Sequence, residues 1–248
     1  DALLRNGSYG PIWAQQPNEQ KQDGVPIERF TKHRAIIAGT LRHPCQSKWL
    51  DFGQTRECVL HQTILVLDFG SQYTQLIARR LRELSVYAEI LPFDVSVTDI
   101  REKEPAGVIL SGGPASVSSI DAPHCDSDIF SCEFPVLGIC YGMQEMTEAM
   151  GGVVTRAPER EYGHATVTIE QDSILFRDIS KELKVWASHG DFIESQPPGF
   201  SVIGTSSNAP VAAMQSTNRR VFALLFHPEV AHTEQGTDIL RNFAFDIC

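Results

Sequence analysis

The chain has 248 residues, 42% of them hydrophobic, and sets 21 Lys and Arg against 31 Asp and Glu for a formal net charge of −10. That length suits one domain with an appendage or two small domains, and the acidic balance argues against the clustered cations of a nucleic-acid surface. No apolar run approaches the roughly 18 residues of a membrane span, the first residues form no compact apolar block ending in small residues, so a secretory signal is not expected, and the 6 cysteines are scattered without CxxC pairing, so the expected setting is a reducing, cytoplasmic one.

Residues 1–62 carry 8 Lys/Arg and 6 Asp/Glu, whereas residues 63–248 carry 13 and 25, so the acidity belongs to the second segment. The first segment is rich in turn-forming and polar stretches such as Asn6-Gly7, Tyr9-Gly10-Pro11 and Gln15-Gln16-Pro17-Asn18. It reads as an irregular leader of unassigned fold. It begins at Asp1 rather than Met, which suits a fragment end, a processed start or a mispredicted exon.

Regular patterning starts at Thr63. Ile64 to Phe69 is a short continuous apolar run, as in a strand buried on both faces. Gly70-Ser71 stops it, and Gln72 to Leu84 follows with Leu76, Ile77, Leu81 and Leu84 at helical spacing. Strands are expected at Val86–Leu91, at Val108–Leu110 and at Pro135–Ile139, and a helix at Met143–Met150 closed by Gly151-Gly152. Strands alternating with helices imply right-handed crossovers and a mainly parallel sheet. From residue 163 the pattern changes to strand-like pieces at 167–169, 184–186, 201–203, 211–213 and 221–225, and a helix at Thr237–Phe245 closes the chain. The fold expected is therefore α/β, an open, mainly parallel sheet flanked by helices with a smaller antiparallel β region added.

The residues that carry chemistry begin with Gly138-Ile139-Cys140-Tyr141-Gly142. A buried strand runs into a Gly-x-Cys-x-Gly turn and then a helix, the thiol counterpart of a nucleophile elbow. Glycines are needed because bulkier neighbours would clash around the strained central residue. Helix-start N–H groups then favour negative charge on the sulfur and on a developing oxyanion. A thiol nucleophile needs a base, and of the eight histidines His227 ends the apolar strand Val221–Phe226, where α/β sites form. Glu229 stands two residues on, so it points to the same side and is placed to orient the ring. His189, in the ambiguous loop Ser188-His189-Gly190-Asp191, is the reserve base. Ser111-Gly112-Gly113-Pro114 ends another strand and on its own reads as a tight turn. No phosphate loop, dinucleotide fingerprint or zinc spacing is present.

Taken together, the order SGGP, GICYG and late HPE resembles the class I (triad) glutamine amidotransferases. Asp68-Phe69-Gly70-Ser71-Gln72-Tyr73-Thr74-Gln75, Glu161-Tyr162-Gly163 and the SHGD segment narrow the likeness to the amidotransferase domains of the GMP synthetase family, over residues 63–248. The resemblance implies a flavodoxin-like core and the following roles. Cys140 attacks the side-chain amide of L-glutamine and forms a thioester. His227 moves protons and Glu229 holds it. The backbone N–H groups of Gly113 and Tyr141 form an oxyanion hole. Gln144, with backbone around Ser188 and Gly190, holds the amino-acid head group. It also implies that ammonia passes to an ATP pyrophosphatase domain or subunit that aminates XMP. ATP and Mg²⁺ belong to that part, and no cofactor, metal, nucleic acid or membrane is expected for this chain. The expected synthetase start lies just past Cys248, which suits a fragment or a partner on a separate chain. The loop Ser118–Cys132 does not match the family pattern closely. Alternatives are the same chemistry serving another acceptor, another cysteine hydrolase such as a γ-glutamyl hydrolase, and a non-catalytic docking module.

Overall fold

The computed structural model describes residues 62–248, and of Pro158, Glu159 and Arg160 the backbone alone. The leader assigned to residues 1–62 therefore lies, Gln62 apart, outside the described residues.

The first strand, β1 (Thr63–Asp68), keeps its four central side chains buried, as its unbroken apolar run requires of a strand covered on both faces. Helix α1 (Thr74–Glu83) buries Thr74, Ile77, Ala78 and Leu81, one stripe at helical spacing, and keeps Arg80 and Arg82 in its last turn, where they favour the helix dipole. Ser85 then turns the chain at φ 65° into β2 (Tyr87–Pro92). Helix α2 (Val97–Glu102) is capped by Ser96, whose Oγ accepts from the Asp99 N–H at 3.1 Å. β3 (Gly107–Leu110) and β4 (Val136–Ile139) are buried throughout, and α3 (Tyr141–Ala149) follows β4 after a single residue. The helix starts at Tyr141, two residues before the expected Met143, because Cys140 itself makes the turn.

The second half is mostly strand: β5 (Val153–Ile169), β6 (Glu182–Ser195), β7 (Phe200–Ser206), β8 (Ala213–Ser216) and β9 (Val221–Leu224). Helix α4 (Gly236–Asn242) closes the chain and runs on into a π-helical turn, Phe243–Ile247. The strand expected at 211–213 begins instead at Ala213. The register against β7 shifts between Val202 and Gly204, and the Ala212 N–H goes to the Gly204 carbonyl at 2.9 Å, so the residues before Ala213 form the lead-in to an irregular pairing.

The nine strands of the described residues form one sheet in the order β2-β1-β3-β4-β9-β8-β7-β5-β6. β2, β1, β3, β4 and β9 pair in parallel, and β9, β8, β7, β5 and β6 pair antiparallel. The antiparallel part is thus as extensive as the parallel part and is hydrogen-bonded to it through β9. Strand order reverses beside β1, where the chain moves to β2 on one side and later to β3 on the other, and clefts in open α/β sheets form at the carboxyl ends near such a reversal. α1 packs with α4, while α3 packs on β3 and β4 and reaches β5 and β6. Among the described residues no helix is long and apolar enough to cross a membrane.

Candidate active site

At the carboxyl end of β4, Cys140 adopts φ 51° and ψ −103°, a conformation costly for a residue with a Cβ. The flanking strands hold it there: its N–H donates to the Leu224 carbonyl on β9 at 2.7 Å, and the Gly142 N–H donates to the Ser111 carbonyl at 3.1 Å. Both elbow glycines are obligatory. A Cβ at Gly138 would lie 2.7 Å from the Gly142 carbonyl oxygen, and one at Gly142 would lie 2.5 Å from the Leu110 carbonyl oxygen. The Cys140 Sγ is 3.5 Å from the Ser188 carbonyl oxygen.

His227 follows β9, the neighbour of β4, so strand pairing alone brings the ring beside the sulfur. It is buried, and its Nδ1 is 2.7 Å from Glu229 Oε1, with Glu229 fully enclosed. That contact occupies Nδ1 and leaves Nε2 for the thiol. Burial opposes a charge on the ring, but the Glu229 carboxylate and Cys140 outweigh it and hold His227 well above the usual imidazole range. Its main chain and one ring edge are also held. The His227 N–H donates to the Trp186 carbonyl at 3.0 Å, Thr233 Oγ1 donates to the His227 carbonyl at 2.6 Å, and Tyr73 lies edge-on with ring centroids 5.1 Å apart. Arg80 Nε donates to the Glu229 carbonyl at 3.1 Å, which ties α1 to this segment.

The reserve base is placed differently. His189 is buried with Nε2 3.1 Å from Glu161 Oε2, and burial pushes its pKa below the usual value. Asp191 stands at the same two-residue spacing from His189 as Glu229 from His227, yet its Oδ2 accepts from Ser116 Oγ at 2.5 Å. The SHGD segment is not a loop: it lies inside β6, with His189 and Asp191 inward and Ser188 and Gly190 half-exposed.

A cleft of about 720 Å³ opens over these groups, lined by Gly113, Cys140, Gln144, Ser188, Gly190 and His227 among others, so every position singled out in the sequence except Tyr141 and Glu229 reaches it with some atom. Glu229 sits behind His227, and Tyr141 beneath Gly113. A Cβ on Gly113 would meet the Tyr141 ring at 3.2 Å, so the two residues adjoin. Tyr141 opens α3, and the first N–H groups of a helix have no intrahelical acceptor. Gln144 donates from Nε2 to the Asp191 carbonyl at 3.2 Å and so braces β6 against α3. Gly112 closes against the site: a Cβ there would lie 2.9 Å from His227 Cε1 and 3.7 Å from Cys140 Cβ.

Several supporting hydrogen bonds had no counterpart in the sequence reading. Ser111 Oγ accepts from the Phe69 N–H at 3.0 Å and joins the ends of β1 and β3. The loop that matches the family pattern poorly is strapped to α3 by the buried Glu145, which accepts from the Cys125 N–H at 3.0 Å and contacts His124 Nδ1 at 2.8 Å. Tyr141 Oη adds a bond to the Pro123 carbonyl at 2.8 Å.

Comparison with known proteins bears on the same residues. The family model for glutamine amidotransferase class-I matches residues 65–247. The chain is 52% identical over 190 residues to a GMP synthase [glutamine-hydrolyzing] of Caldanaerobacter subterraneus subsp. tengcongensis, covering 77% of this chain and 37% of that protein. It is 57% identical over 185 residues to the GMP synthase [glutamine-hydrolyzing] of Campylobacter lari, covering 75% and 36%. The chain thus spans just over a third of the length of these curated relatives. Among solved structures, a GMP synthase subunit from Thermoplasma acidophilum superposes with a TM-score of 0.68 at 32% identity, over 76% of this chain and 94% of the other. A glutamine amidotransferase from Thermotoga maritima shares the fold, with a TM-score of 0.56 at 21% identity over 75% and 83%. A cysteine elbow beside a carboxylate-held histidine, on a sheet these structures share, accords with the family match, and the chain belongs to the class-I glutamine amidotransferases.

Proposed function

We propose that this chain hydrolyses the side-chain amide of L-glutamine to glutamate and ammonia, and that the ammonia serves the amination of XMP to GMP by an ATP pyrophosphatase domain or subunit. The observation that supports the reading is the meeting of Cys140 and His227, distant in sequence, at one cleft, with Glu229 behind the His227 ring. The Cys140 thiolate adds to the amide carbon, and the resulting oxyanion is held by the N–H groups of Gly113 and Tyr141. The C–N bond then breaks as His227 gives its proton to the nitrogen, ammonia leaves, and a γ-glutamyl thioester remains. His227 next takes a proton from water, the hydroxyl adds to the thioester, and the C–S bond breaks to give glutamate and the free thiolate. Glu229 keeps the ring oriented and stabilises its charged form. Gln144 and the β6 backbone at Ser188 and Gly190 border the head-group end of the cleft. ATP and Mg²⁺ belong in this scheme to the synthetase part.

The names and identities of the GMP synthase relatives support the acceptor assignment. An enclosed carboxylate on a strand-end histidine is costly to bury and weighs against the docking-module alternative. The test mixes the chain with a synthetase partner, XMP, ATP and glutamine and measures ammonia and GMP. Cys140→Ala is expected to abolish glutamine-dependent GMP, while added ammonia still supports it. Continued ammonia release from glutamine by Cys140→Ala would refute the mechanism.

A further inference from the structure

Among the described side chains that line the cleft there is one Lys or Arg, Arg156, and one carboxylate, Asp191. They are direct partners across the antiparallel pair β5–β6. Residues opposite one another in such a pair project to the same face with Cβ atoms about 5 Å apart. Arg156 is also the last residue in register before the β5–β6 pairing shifts, and such irregularities re-aim the side chains beside them.

Although opposite in charge and adjacent in register, the two are not ion-paired, and each keeps capacity in reserve. Asp191 is buried and gives Oδ2 to Ser116, while Oδ1 has no partner among the described residues. Arg156 is exposed at the rim, and its guanidinium has no acceptor among the described residues. An α-amino acid carries an ammonium and a carboxylate on one carbon. Such a head group presents to this pair the complementary charge at each end. Cys140 lines the same cleft, so one molecule has both the charged pair and the sulfur around it.

We propose that Arg156 is a specificity residue that takes the α-carboxylate of the substrate opposite Asp191, so that the cleft selects a free α-amino acid over a glutamine within a peptide or a simple carboxamide. This rests on glutamine being the substrate of the Cys140 site. A guanidinium fits a carboxylate through two parallel N–H bonds, which neither a backbone carbonyl nor a hydroxyl reproduces.

The test uses covalent capture, which does not depend on turnover. A chloromethyl ketone analogue of glutamine alkylates a thiolate: an S–C bond forms, the C–Cl bond breaks and chloride leaves. Cys140 labelling is followed by mass spectrometry for this reagent and for its α-carboxamide, which has lost the negative charge. Arg156→Ala is expected to raise the half-saturating concentration of the carboxylate reagent by about five- to tenfold, without moving that of the carboxamide. Arg156→Lys should recover part of the loss. Labelling by iodoacetamide, which has no head group, should be unchanged and so report an intact fold and thiol. Added salt should weaken saturation of the unsubstituted protein more than that of Arg156→Ala. Equal shifts for both reagents, or none, would overturn the assignment. Failure of the carboxylate reagent to saturate Cys140 in the unsubstituted protein would instead remove the glutamine reading itself.

Discussion

Gly112→Ala isolates the positioning of the histidine from its chemistry, because it removes no functional group. Gly112 has no positive φ, so alanine strains the backbone little; the conflict is steric. The new methyl would lie 2.9 Å from His227 Cε1, against ordinary contacts of 3.4–4 Å, so the ring must move by about half an ångström or more. It has little freedom to do so. Rotation about the side chain lengthens the 2.7 Å contact to Glu229 and presses on Tyr73, while the main chain is held at Trp186 and Thr233. Overpacking of this kind costs about 1–3 kcal/mol of stability. A reacting group misplaced by close to an ångström costs about 10²-fold in rate, or about 2.7 kcal/mol of barrier. Ammonia release at saturating and limiting glutamine, with urea unfolding on the same samples, separates the two effects. The expected result is a folded protein with kcat lowered about ten- to hundredfold and a KM that changes far less. A variant within about threefold of full kcat would show that His227 tolerates displacement, and would refute its placement as the proton carrier.

Glu229→Gln should lower kcat by about 10²–10⁴-fold, since it removes the charge that orients and stabilises the protonated ring. It should also change the pH dependence of stability. His227 binds its proton more tightly in the folded than in the unfolded chain, so it contributes stability that is fully present below the usual imidazole value of about 6.5 and is lost as pH rises through the raised folded value. The stability gap between the unsubstituted protein and Glu229→Gln, followed by urea unfolding from acidic to alkaline pH, should therefore narrow as pH rises; a gap that widens would contradict the assignment. Glu145→Ala deprives the Cys125 N–H and the His124 ring of their shared acceptor and should cost about 2 kcal/mol by the same unfolding assay. Because the loop strapped by Glu145 continues back to Ser116, Ser118 and Ser119 on the cleft wall, KM for glutamine should rise more than kcat falls.

The positions proposed as catalytic stood out in the sequence because their signals are local. Strand, Gly-x-Cys-x-Gly and helix are contiguous, and the two-residue step from His227 to Glu229 needs no knowledge of the rest of the chain. The helix Val97–Glu102 is too short to show apolar periodicity, although Ser96 and Asp99 carry a side-chain capping signal. Val153-Val154-Thr155, the start of the long strand β5, is likewise a β-branched run that sequence alone supports. The SHGD segment misled for a physical reason. Leu183, Val185, Ala187, His189, Asp191 and Ile193 all point inward on β6, but the inward face changes along the strand from apolar core to polar cleft. Alternation of apolar and polar residues therefore disappears where function begins, although the strand continues. Thr233 and Glu145 had no signal at all, and Ser111 stood out only as part of the SGGP turn, since their roles are hydrogen bonds that exist only in the folded chain.

Strain at Cys140 and the buried His227–Glu229 pair each cost stability, and they persist only where the surroundings over-determine them. Here the restraint comes mainly from main-chain hydrogen bonds of the sheet. β9 holds the Cys140 N–H through Leu224, β3 holds Gly142 through Ser111, and β6 holds His227 through Trp186. Because β4 and β9 are neighbours, the spacing between sulfur and imidazole follows from the inter-strand distance of about 4.8 Å rather than from loop conformation. The groups proposed to read the substrate, Gln144 on α3 apart, sit on β5 and β6 in the antiparallel half. Restraint on the proposed reacting atoms thus comes mainly from the parallel half, with β6 adding the bond at Trp186, whereas the groups proposed to read the substrate lie mainly in the antiparallel half. The division predicts that substitutions on β5 act on KM and those at the ends of β3, β4 and β9 act on kcat, and the Arg156 and Gly112 variants test its two sides.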